Sequence, residues 1–548
     1  MSDAGSSRPS TLRSLLAELY DPSAAAWAAD ELDRVMAGRR RPTRPEVDES
    51  AAWIIAYPDH VTDAGEAPLA TLAGFVADRL APHITGVHTL PLHPATSDGG
   101  FAVVDPAVVD PAFGDWPDLD HLSAHTTWMA DLVLNHLSAS SPWFRRFLDG
   151  DAAFADFFTR LPAGTDTSAV VRPRTSPLAH EYVSAAGSER IWTTFSADQV
   201  DLDYRNPRVL VAMVEVLARY LDHGAGAVRL DAVPFVWKDP TTASVHLTQT
   251  HTIVAILRTV LTEIAPGALL ITETNVPQPE NLSYTGTASR PEADVVYQFP
   301  LPPLVAHAVL TGDTAPLKSL ARSIGPPRPG ATFLNVLATH DGIGLRPADG
   351  WLNADQVTTL ADRASAVGGV VNFRSTPDGD RPYELAVAWF TLMSAGVDDD
   401  TALARHLASH AVMLALPGIP LLYLNSLFAV GNDHATFERT AHGRDLNRAR
   451  HARADLERAL DDPTSVAARS WAGFRRLLLA RSTSPAFHPF ARHDVLDSPD
   501  GTLVVERSSG GHCATVAIEL AGRATTVPLP TGDVSLSPYD VAWRTTTS

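Results

Sequence analysis

Three acidic residues, Asp231, Glu273 and Asp341, each stand at or just after the end of a short apolar segment. Arg229 precedes Asp231 by two residues, and in an extended strand that spacing points both side chains to one face. Such charges are costly to bury unpaired, and carboxylates that converge on one site must be protonated, neutralised or used. Glycoside chemistry uses such a group: one carboxylate attacks the anomeric carbon and a protonated one donates to the leaving oxygen. Taken singly, each acid could instead cap a helix or pair with a surface arginine.

Eight short apolar runs alternate with helical patterns between residues 51 and 426. The runs are AAWIIAYP, HITGVHTLPL, TTWMADLVLNH, AGAVRLDAV, GALLITETN, DVVYQFPL, ATFLNVLATHD and GIPLLYLNS. This alternation indicates parallel βαβ units and predicts an α/β fold closed as a (β/α)8, or TIM, barrel. Polar residues gather at the C-terminal ends of the runs, where such a barrel builds its active site. They are Asp59, His136, Asp231, Glu273, His340 and Asp341.

The pattern divides the chain into three predicted parts. Residues 1–48 predict an N-terminal helical extension, because their leucines recur at helical spacing. The barrel is predicted over 49–480, with insertions near 138–200 and 345–405 that are too long for simple loops and so form subdomains on the C-terminal rim. Alternating apolar and polar residues predict a small antiparallel β domain over 485–548.

The composition narrows the partners. The chain has 548 residues and a formal net charge of -20, which makes nucleic acid and anionic membranes unfavourable partners and points to small molecules. Its single cysteine, Cys513, excludes an intrachain disulfide and a zinc site of several thiolates. A secretion signal and an apolar stretch of about 20 residues are both missing from the sequence, so a cytoplasmic protein is expected. No metal or cofactor motif is evident, and the oligomeric state is not legible.

Five segments resemble, in order, the sequence regions of the α-amylase superfamily (glycoside hydrolase family 13). They are DLVLNH (131–136), QVDLDY (199–204), AVRLDAV (227–233), ITETN (271–275) and LATHDG (337–342). The resemblance implies that Asp231 is the nucleophile, Glu273 the general acid/base and Asp341 the stabiliser of the distorted sugar. A lowered pKa for the nucleophile and a raised one for the acid are what this chemistry requires.

Further residues take roles from the same resemblance. Arg229 would hold Asp231 ionised and aimed. His136 and His340 would hydrogen-bond sugar hydroxyls.

The surrounding segments are similar to the sucrose phosphorylase branch of the superfamily. They include IIAYPDH, GFAVVDPAVVDPAFGDW, VVRPRTSPL and YQFPLPPL. Within that branch, ETNVPQPENLSY, the segment 368–390 and the helical extension resemble glucosylglycerate phosphorylases more than sucrose phosphorylases. The resemblance implies transfer of a glucosyl group to Asp231 and then to inorganic phosphate, giving α-glucose 1-phosphate. Phosphate would be a co-substrate, and no cofactor or metal would be needed.

The branch resemblance also assigns binding residues. Asp59 and Arg444 would clamp a terminal glucose hydroxyl, while Phe195 and Gln199 would line the nucleophile's side of the pocket. Asn275 is assigned to the phosphate or acceptor side.

Phosphate is an anion, and among carboxylates it needs cations. Arg174 is the first candidate for that role, with Arg172 and Arg346 after it. The alternative for Arg172 and Arg174 is ordinary pairing with acids in a loop.

Several residues depart from the branch pattern. Leu92 and His93 replace aromatic residues, Pro106 stands where Tyr or His is expected, and Gln278 and Thr285 replace His and Phe. These positions are expected to lie where an acceptor binds, so the acceptor is the open point. Three alternatives remain: another acceptor such as that of sucrose phosphorylase, an α-glucoside hydrolase or transglucosidase, or a carbohydrate-binding protein without catalysis. The last requires a missing catalytic acid, and none is missing.

Overall fold

The computed structural model describes residues 8–39, 47–174, 176–325, 328–376 and 379–547. Its central feature is a closed barrel of eight strands whose hydrogen-bonded neighbours follow the chain order, with the last strand pairing in parallel with the first. The strands are β1 (Trp53–Ala56), β2 (Gly86–Thr89), β3 (Thr127–Val133), β4 (Ala225–Asp231), β5 (Leu269–Thr272), β6 (Val295–Tyr297), β7 (Thr332–Asn335) and β8 (Ile419–Tyr423). Each predicted apolar run supplies one strand, so the predicted barrel is confirmed.

The chain divides into two compact units. The first contains the N-terminal helices, Thr89–Thr274 and Leu282–Val296, and the second contains the segment that ends at His88, Asn275–Asn281 and Tyr297 onwards. The predicted ends of the helical extension at residue 48 and of the barrel at residue 480 are not tested by this division and stay predictions.

Helices of eight or more residues follow most of the strands. They are Pro68–Phe75, Trp116–His125, Pro207–Asp222, Thr248–Ile264, Leu301–Thr311, Ala315–Ser323, Ala354–Ala366, Asp399–Ala415, Arg453–Asp461 and Val466–Ser482. Local sequence explains where they begin: in Pro207–Asp222, for example, the Asn206 side chain accepts from the Arg208 backbone N–H, and Pro207 takes the first helical position. Shorter helices are Pro142–Leu148, Gln278–Ser283, Trp389–Met393, Leu424–Leu427 and His434–Thr440.

The insertion after β3 carries its own β structure. Ala179–Ser184 and Gly187–Trp192 form an antiparallel hairpin. Gln199–Asp201 pairs antiparallel with His136–Ser138, which places His136 opposite Asp201.

The insertion after β7 contains a second hairpin. Its strands are Val370–Thr376 and Gly379–Ala386, and they are called the inserted hairpin below. The second of these strands also pairs with Ile343–Gly344, which begins two residues after Asp341 in the chain.

Helices α1 (Arg8–Leu19) and α2 (Pro22–Met36) form the N-terminal extension. Tyr20, between them, donates its hydroxyl to the Tyr204 carbonyl oxygen at 2.9 Å, and the Tyr204 hydroxyl donates to the Leu134 carbonyl oxygen at 2.8 Å. The extension is therefore hydrogen-bonded to a segment that bears predicted site residues.

The C-terminal region is an antiparallel β structure, as predicted. Its four-stranded sheet has the order Arg492–Leu496, Thr502–Ser509, His512–Glu519 and Val541–Thr547. Two further two-stranded ladders pair Thr525–Val527 with Val534–Leu536, and Val61–Thr62 with His451–Ala452.

A buried arginine joins the beginnings of β1 and β8. Arg481 donates to the carbonyl oxygens of Glu49, of Ala51 at 3.0 Å, of Gly418 at 3.3 Å and of Phe487 at 3.1 Å. Ala51 precedes β1 and Gly418 precedes β8. Burial lowers the pKa of Arg481 to about 10, which still leaves the guanidinium charged at neutral pH. Its charge is stabilised by the dipoles of these carbonyl groups.

Replacing Arg481 by Met should lower the free energy of unfolding by about 3 kcal/mol, because charged hydrogen bonds to buried carbonyl groups are lost. Urea unfolding followed by circular dichroism measures this. Arg475→Met, at an exposed position of the same helix, is the control and should change it by no more than about 0.5 kcal/mol. Equal effects of the two substitutions would contradict the role given to Arg481.

Candidate active site

Arg229, a residue of β4, lies between three carboxylates. Its NH1 nitrogen donates to Asp131 Oδ1 at 2.6 Å and to Asp231 Oδ1 at 2.9 Å, and its NH2 nitrogen lies 3.7 Å from Glu273 Oε2. Strand register explains the placement, since Arg229 is paired with Asp131 of β3 while Glu273 comes directly after β5. One buried guanidinium is thus shared by three acids, which cannot all be fully neutralised by it.

The nucleophile candidate, Asp231, is the last residue of β4 and is buried. Burial raises its pKa well above the ordinary value; Arg229 opposes this, while Asp131 and Glu273 reinforce it. The expectation of a lowered pKa is therefore wrong, because desolvation outweighs the arginine. The next residue, Ala232, has a φ of 51°, the left-handed conformation that is strained for a residue with a side chain and is frequent at functional sites.

Three of the predicted sugar-binding residues lie together in the first unit. His136 Nε2 is 3.1 Å from the Phe101 carbonyl oxygen and 3.0 Å from the Gln199 amide nitrogen, and the Phe195 ring meets the His136 ring edge-on with centroids 5.3 Å apart. Gln199 also donates to Asp98 Oδ2 at 3.1 Å. Burial lowers the pKa of His136, so its imidazole is neutral near pH 7.

Lys238 ties together the segments that carry these residues. Its buried ammonium donates to Asn135 Oδ1 and to the Phe235 carbonyl oxygen, each at 2.5 Å, and pairs with Asp201 Oδ2 at 3.0 Å. Asn135 precedes His136, Asp201 follows Gln199 by two residues, and Phe235 follows Asp231 by four. Burial lowers the pKa of Lys238, and Asp201 opposes that shift. Its charge therefore fixes three segments at one point.

The third acid, Asp341, is surrounded by arginines of the second unit. Arg444 donates to Asp341 Oδ1 through NH1 and to Glu384 Oε2 at 2.7 Å through NH2. Arg448 NH2 lies 3.6 Å from Asp341 Oδ1, and its Nε donates to the His340 carbonyl oxygen at 2.9 Å. His340 Nε2 is 3.6 Å from Asp341 Oδ1.

Asp59 and Arg444, the expected sugar clamp, each have another partner. Asp59 Oδ1 accepts from Arg450 Nε at 2.8 Å, and the Arg450 guanidinium lies 4.0 Å from the centre of the Tyr57 ring. Arg444 is bonded to Asp341 and Glu384. The arginine beside Asp59 is therefore Arg450, because the segment after Asn447 reaches this point in the fold.

The acceptor-side residues fall into two groups. Gln278 Nε2 donates to Gln298 Oε1 at 3.0 Å, and Asn275 lies against Gly344, where an added Cβ would be 2.9 Å from the Asn275 amide nitrogen. His93 and Thr285 are buried, with Thr285 bonded to the Leu282 carbonyl oxygen at 2.8 Å.

The expectation that His93 lines an acceptor site is wrong. Its Nδ1 lies 2.6 Å from the Val108 carbonyl oxygen and its Nε2 lies 2.6 Å from the Tyr220 hydroxyl, so both ring nitrogens are used inside the core. Burial lowers the pKa of His93 to about 4. Leu92 and Pro106 are buried as well, and the Pro106 carbonyl oxygen accepts from Tyr220 at 3.3 Å. His93 and Pro106 are therefore joined through the Tyr220 hydroxyl.

The phosphate-binding candidates are arginines of loops. Arg174 and Arg346 are half-buried, and neither side chain makes a hydrogen bond or ion pair with another residue of the described ranges. Arg172 is exposed and donates to the Ser176 carbonyl oxygen. Arg174 and Arg346 therefore have the exposure and the donors that an anion needs.

Known proteins share this sequence pattern over most of its length. A family model described as the α-amylase catalytic domain matches residues 81–320. The glucosylglycerate phosphorylase of Allomeiothermus silvanus is 44% identical over 90% of this chain and 91% of its own, and that of Spirochaeta thermophila is 40% identical over 91% and 86%. The chain belongs to the α-amylase superfamily, in the branch of the glucosylglycerate phosphorylases. A solved superfamily structure, the sucrose 6F-phosphate phosphorylase from Thermoanaerobacter thermosaccharolyticum, matches the fold with a TM-score of 0.76 at 22% identity over 91% of this chain and 100% of that one.

The described part of this superfamily member contains neither a membrane-spanning helix nor a metal-binding cluster. None of its helices is long and apolar enough to cross a bilayer. Within the same ranges, no cluster of three or more His, Cys, Asp or Glu side chains could hold a metal ion. The oxygens around Lys238 already bind an ammonium.

Several site residues were not identified from the sequence. Asp131 carries a signal, because it is an acid inside an apolar run and opens a superfamily segment. Lys238 follows the apolar residues PFVW and resembles a strand end. Glu384 and Arg450 carry no local signal, since their partners are 60 and 391 residues away in the chain.

The pH dependence of kcat/KM should show the raised pKa of Asp231. As the predicted nucleophile, Asp231 attacks only when it is ionised, so the rate should fall toward acid with a midpoint above about 4, the ordinary aspartate value. Asp131→Asn should move that midpoint to lower pH, because it removes a negative charge that raises the pKa of Asp231. Arg229 then has one fewer carboxylate to share its charge with and stabilises ionised Asp231 more strongly. Asp120→Asn, an exposed acid, is the control. An unchanged midpoint in Asp131→Asn would contradict this electrostatic account.

Lys238→Met should lower the free energy of unfolding by about 3 to 5 kcal/mol, because it leaves Asp201 buried with its cation removed. Thermal and urea unfolding measure the change. Arg458→Met is the control, since it removes an ion pair with Asp455 in which both side chains are exposed and should cost about 1 kcal/mol or less. A similar loss in both variants would show that Lys238 is an ordinary surface-type cation.

Proposed function

We propose that this protein is a retaining glycoside phosphorylase. It transfers an α-glucosyl group from a small glucoside, glucosylglycerate, to inorganic phosphate and forms α-D-glucose 1-phosphate. The observation that carries the proposal is the cluster of Arg229, Asp231 and Glu273 at the ends of β4 and β5, in a chain 44% identical to a glucosylglycerate phosphorylase over 90% of its length.

The reaction takes place in two displacements. Asp231 attacks the anomeric carbon while Glu273, protonated, gives its proton to the leaving glycerate oxygen. A phosphate oxygen then attacks the same carbon, the bond to Asp231 breaks, and Glu273 takes the proton from phosphate. Two inversions give net retention, and both residues return to their starting forms.

The surrounding residues orient the sugar and stabilise charge. Arg229 holds the Asp231 carboxylate in place through a 2.9 Å hydrogen bond and favours its ionised form against burial. Asp341 stabilises the positive charge that develops on the sugar ring in the transition state.

The sugar hydroxyls have several proposed partners. They are His136, Phe195, Gln199, His340 and Asp59, with Arg444 contributing through Asp341. Asp59, His136 and His340 each follow the C-terminal end of a barrel strand, where enzymes of this fold build their sites, and Phe195 and Gln199 contact His136.

Phosphate and glycerate are both anions in a chain of net charge -20, so each requires local cations. Arg174 is the proposed phosphate ligand, and Arg346 and Asn275 act on the acceptor side. The half-buried guanidinium of Arg174, with no partner in the described ranges, supports this assignment. The protein acts in the cytoplasm, where phosphate is available, and uses no cofactor.

Phosphate release from α-D-glucose 1-phosphate tests the function. With D-glycerate, glycerol, fructose, fructose 6-phosphate or water alone, release should be fastest with D-glycerate. Asp231→Asn should lower this rate by about 1,000-fold or more, and Asp355→Asn, an exposed acid, should leave it unchanged.

The other outcomes exclude the proposal in different ways. Fastest release with fructose or glycerol would replace glycerate as the acceptor. Equal release with water alone would make the enzyme a hydrolase, and undiminished release by Asp231→Asn would remove that residue from the mechanism.

A further inference from the structure

A buried acid of the inserted hairpin faces the arginine that holds Asp341. Glu384 accepts at Oε1 from Arg444 Nε and from Asn372 Nδ2, both at 3.2 Å, and at Oε2 from Arg444 NH2 at 2.7 Å. The pair is therefore a two-pronged contact between a guanidinium and a carboxylate, which fixes the plane of the arginine.

Exposure increases along this chain of charges. The side chain of Glu384 is 5% exposed, that of Arg444 14% and that of Asp341 31%. Arg444 uses Nε and NH2 for Glu384 and NH1 for Asp341. The buried Glu384 thus fixes Arg444, and Arg444 donates its remaining NH1 group to the more exposed Asp341.

The backbone makes the same connection. Glu384 is paired with Gly344 and Leu385 with Ile343, so the hairpin is hydrogen-bonded to the residues that follow Asp341. At Gly342 an added Cβ would lie 2.6 Å from Glu384 Cγ and 2.7 Å from the Leu385 carbonyl oxygen. Only glycine allows the hairpin to approach the catalytic segment this closely.

A second arginine near Asp341 is shared in the same way. Arg448 lies 3.6 Å from Asp341 and 3.7 Å from Asp445. Each arginine therefore has another acid beside it. With Glu384 present, the ionised group of Asp341, Arg444 and Glu384 carries a net charge of -1, whereas Asp341 and Arg444 alone would be neutral.

We propose that Glu384 is a positioning residue that offsets the charge of Arg444, so that Asp341 keeps its negative charge for the transition state. Arg444 can then orient Asp341 without cancelling it. The inserted hairpin is thereby part of the catalytic apparatus. The inference rests on the proposed function, which gives Asp341 its role.

The test uses glucosyl transfer that does not depend on phosphate. Release of nitrophenol from 4-nitrophenyl α-D-glucoside, with water or any acceptor, measures attack by Asp231. Glu384→Gln has nearly the same shape but no charge, and it should lower kcat by about 10- to 100-fold with KM changed less than about 3-fold, because the interaction strengthens in the transition state. Glu384→Asp restores the charge and should recover part of the loss.

Two controls separate positioning from folding. Asp349→Asn removes an exposed ion pair with Arg374 of the inserted hairpin and should leave kcat unchanged. In an Asp341→Asn background, Glu384→Gln should lower kcat less than about 2-fold further, because its effect passes through Asp341. Thermal unfolding of each variant shows whether the fold is kept.

The outcomes are distinct. Full kcat in Glu384→Gln, equal loss in Glu384→Gln and Glu384→Asp, or full additivity with Asp341→Asn would each overturn the inference. Nitrophenol release without phosphate release from glucose 1-phosphate would overturn the proposed function and leave the inference standing. Absence of nitrophenol release by the wild type would overturn both.

Discussion

The placement of the acids in the first unit of this protein depends on their contacts with Arg229. A single buried guanidinium is shared by Asp131, Asp231 and Glu273, and barrel strands deliver all of these side chains. Desolvation and repulsion by the neighbouring carboxylates raise the pKa of Asp231, and Arg229 lowers it. Arg229 is therefore the contact that favours the ionised carboxylate which the proposed nucleophile needs. Strand register sets that balance, because it fixes which acid stands beside the arginine.

Elsewhere in the protein, single buried cations also hold several oxygen atoms together. Lys238 gathers three segments around one ammonium, and Arg481 gathers four carbonyl oxygens. Each of these two cations is surrounded by several oxygen acceptors. Arg444 is used differently, because a second carboxylate balances it. The chain therefore places positive charge to organise loops while the reactive region stays negative.

Much of this could be predicted from the sequence. Each apolar run became a strand, and the acids at the run ends lie where barrel geometry places them, because strand periodicity and strand ends are local properties. The partners could not be predicted, since Glu384, which binds Arg444, lies in an insertion and Arg450, which binds Asp59, follows the last barrel strand, and no local pattern orients either segment. His93 was misjudged for a related reason: a histidine in a strand-end motif looks like a ligand until Tyr220, 127 residues later, is seen to take its Nε2.

Arg481 has a consequence for how the chain is made. Its guanidinium holds the Ala51 carbonyl oxygen, 430 residues earlier, at the start of the first barrel strand. Translation at about 5 to 20 residues per second separates the two by roughly 20 to 90 seconds. For most of that interval β1 has been made and β8 has not, so the barrel has two open edges. The first barrel strand thus waits for a partner that is made last of the eight, and the nascent chain is exposed to edge-to-edge pairing with other chains until β8 has been synthesised.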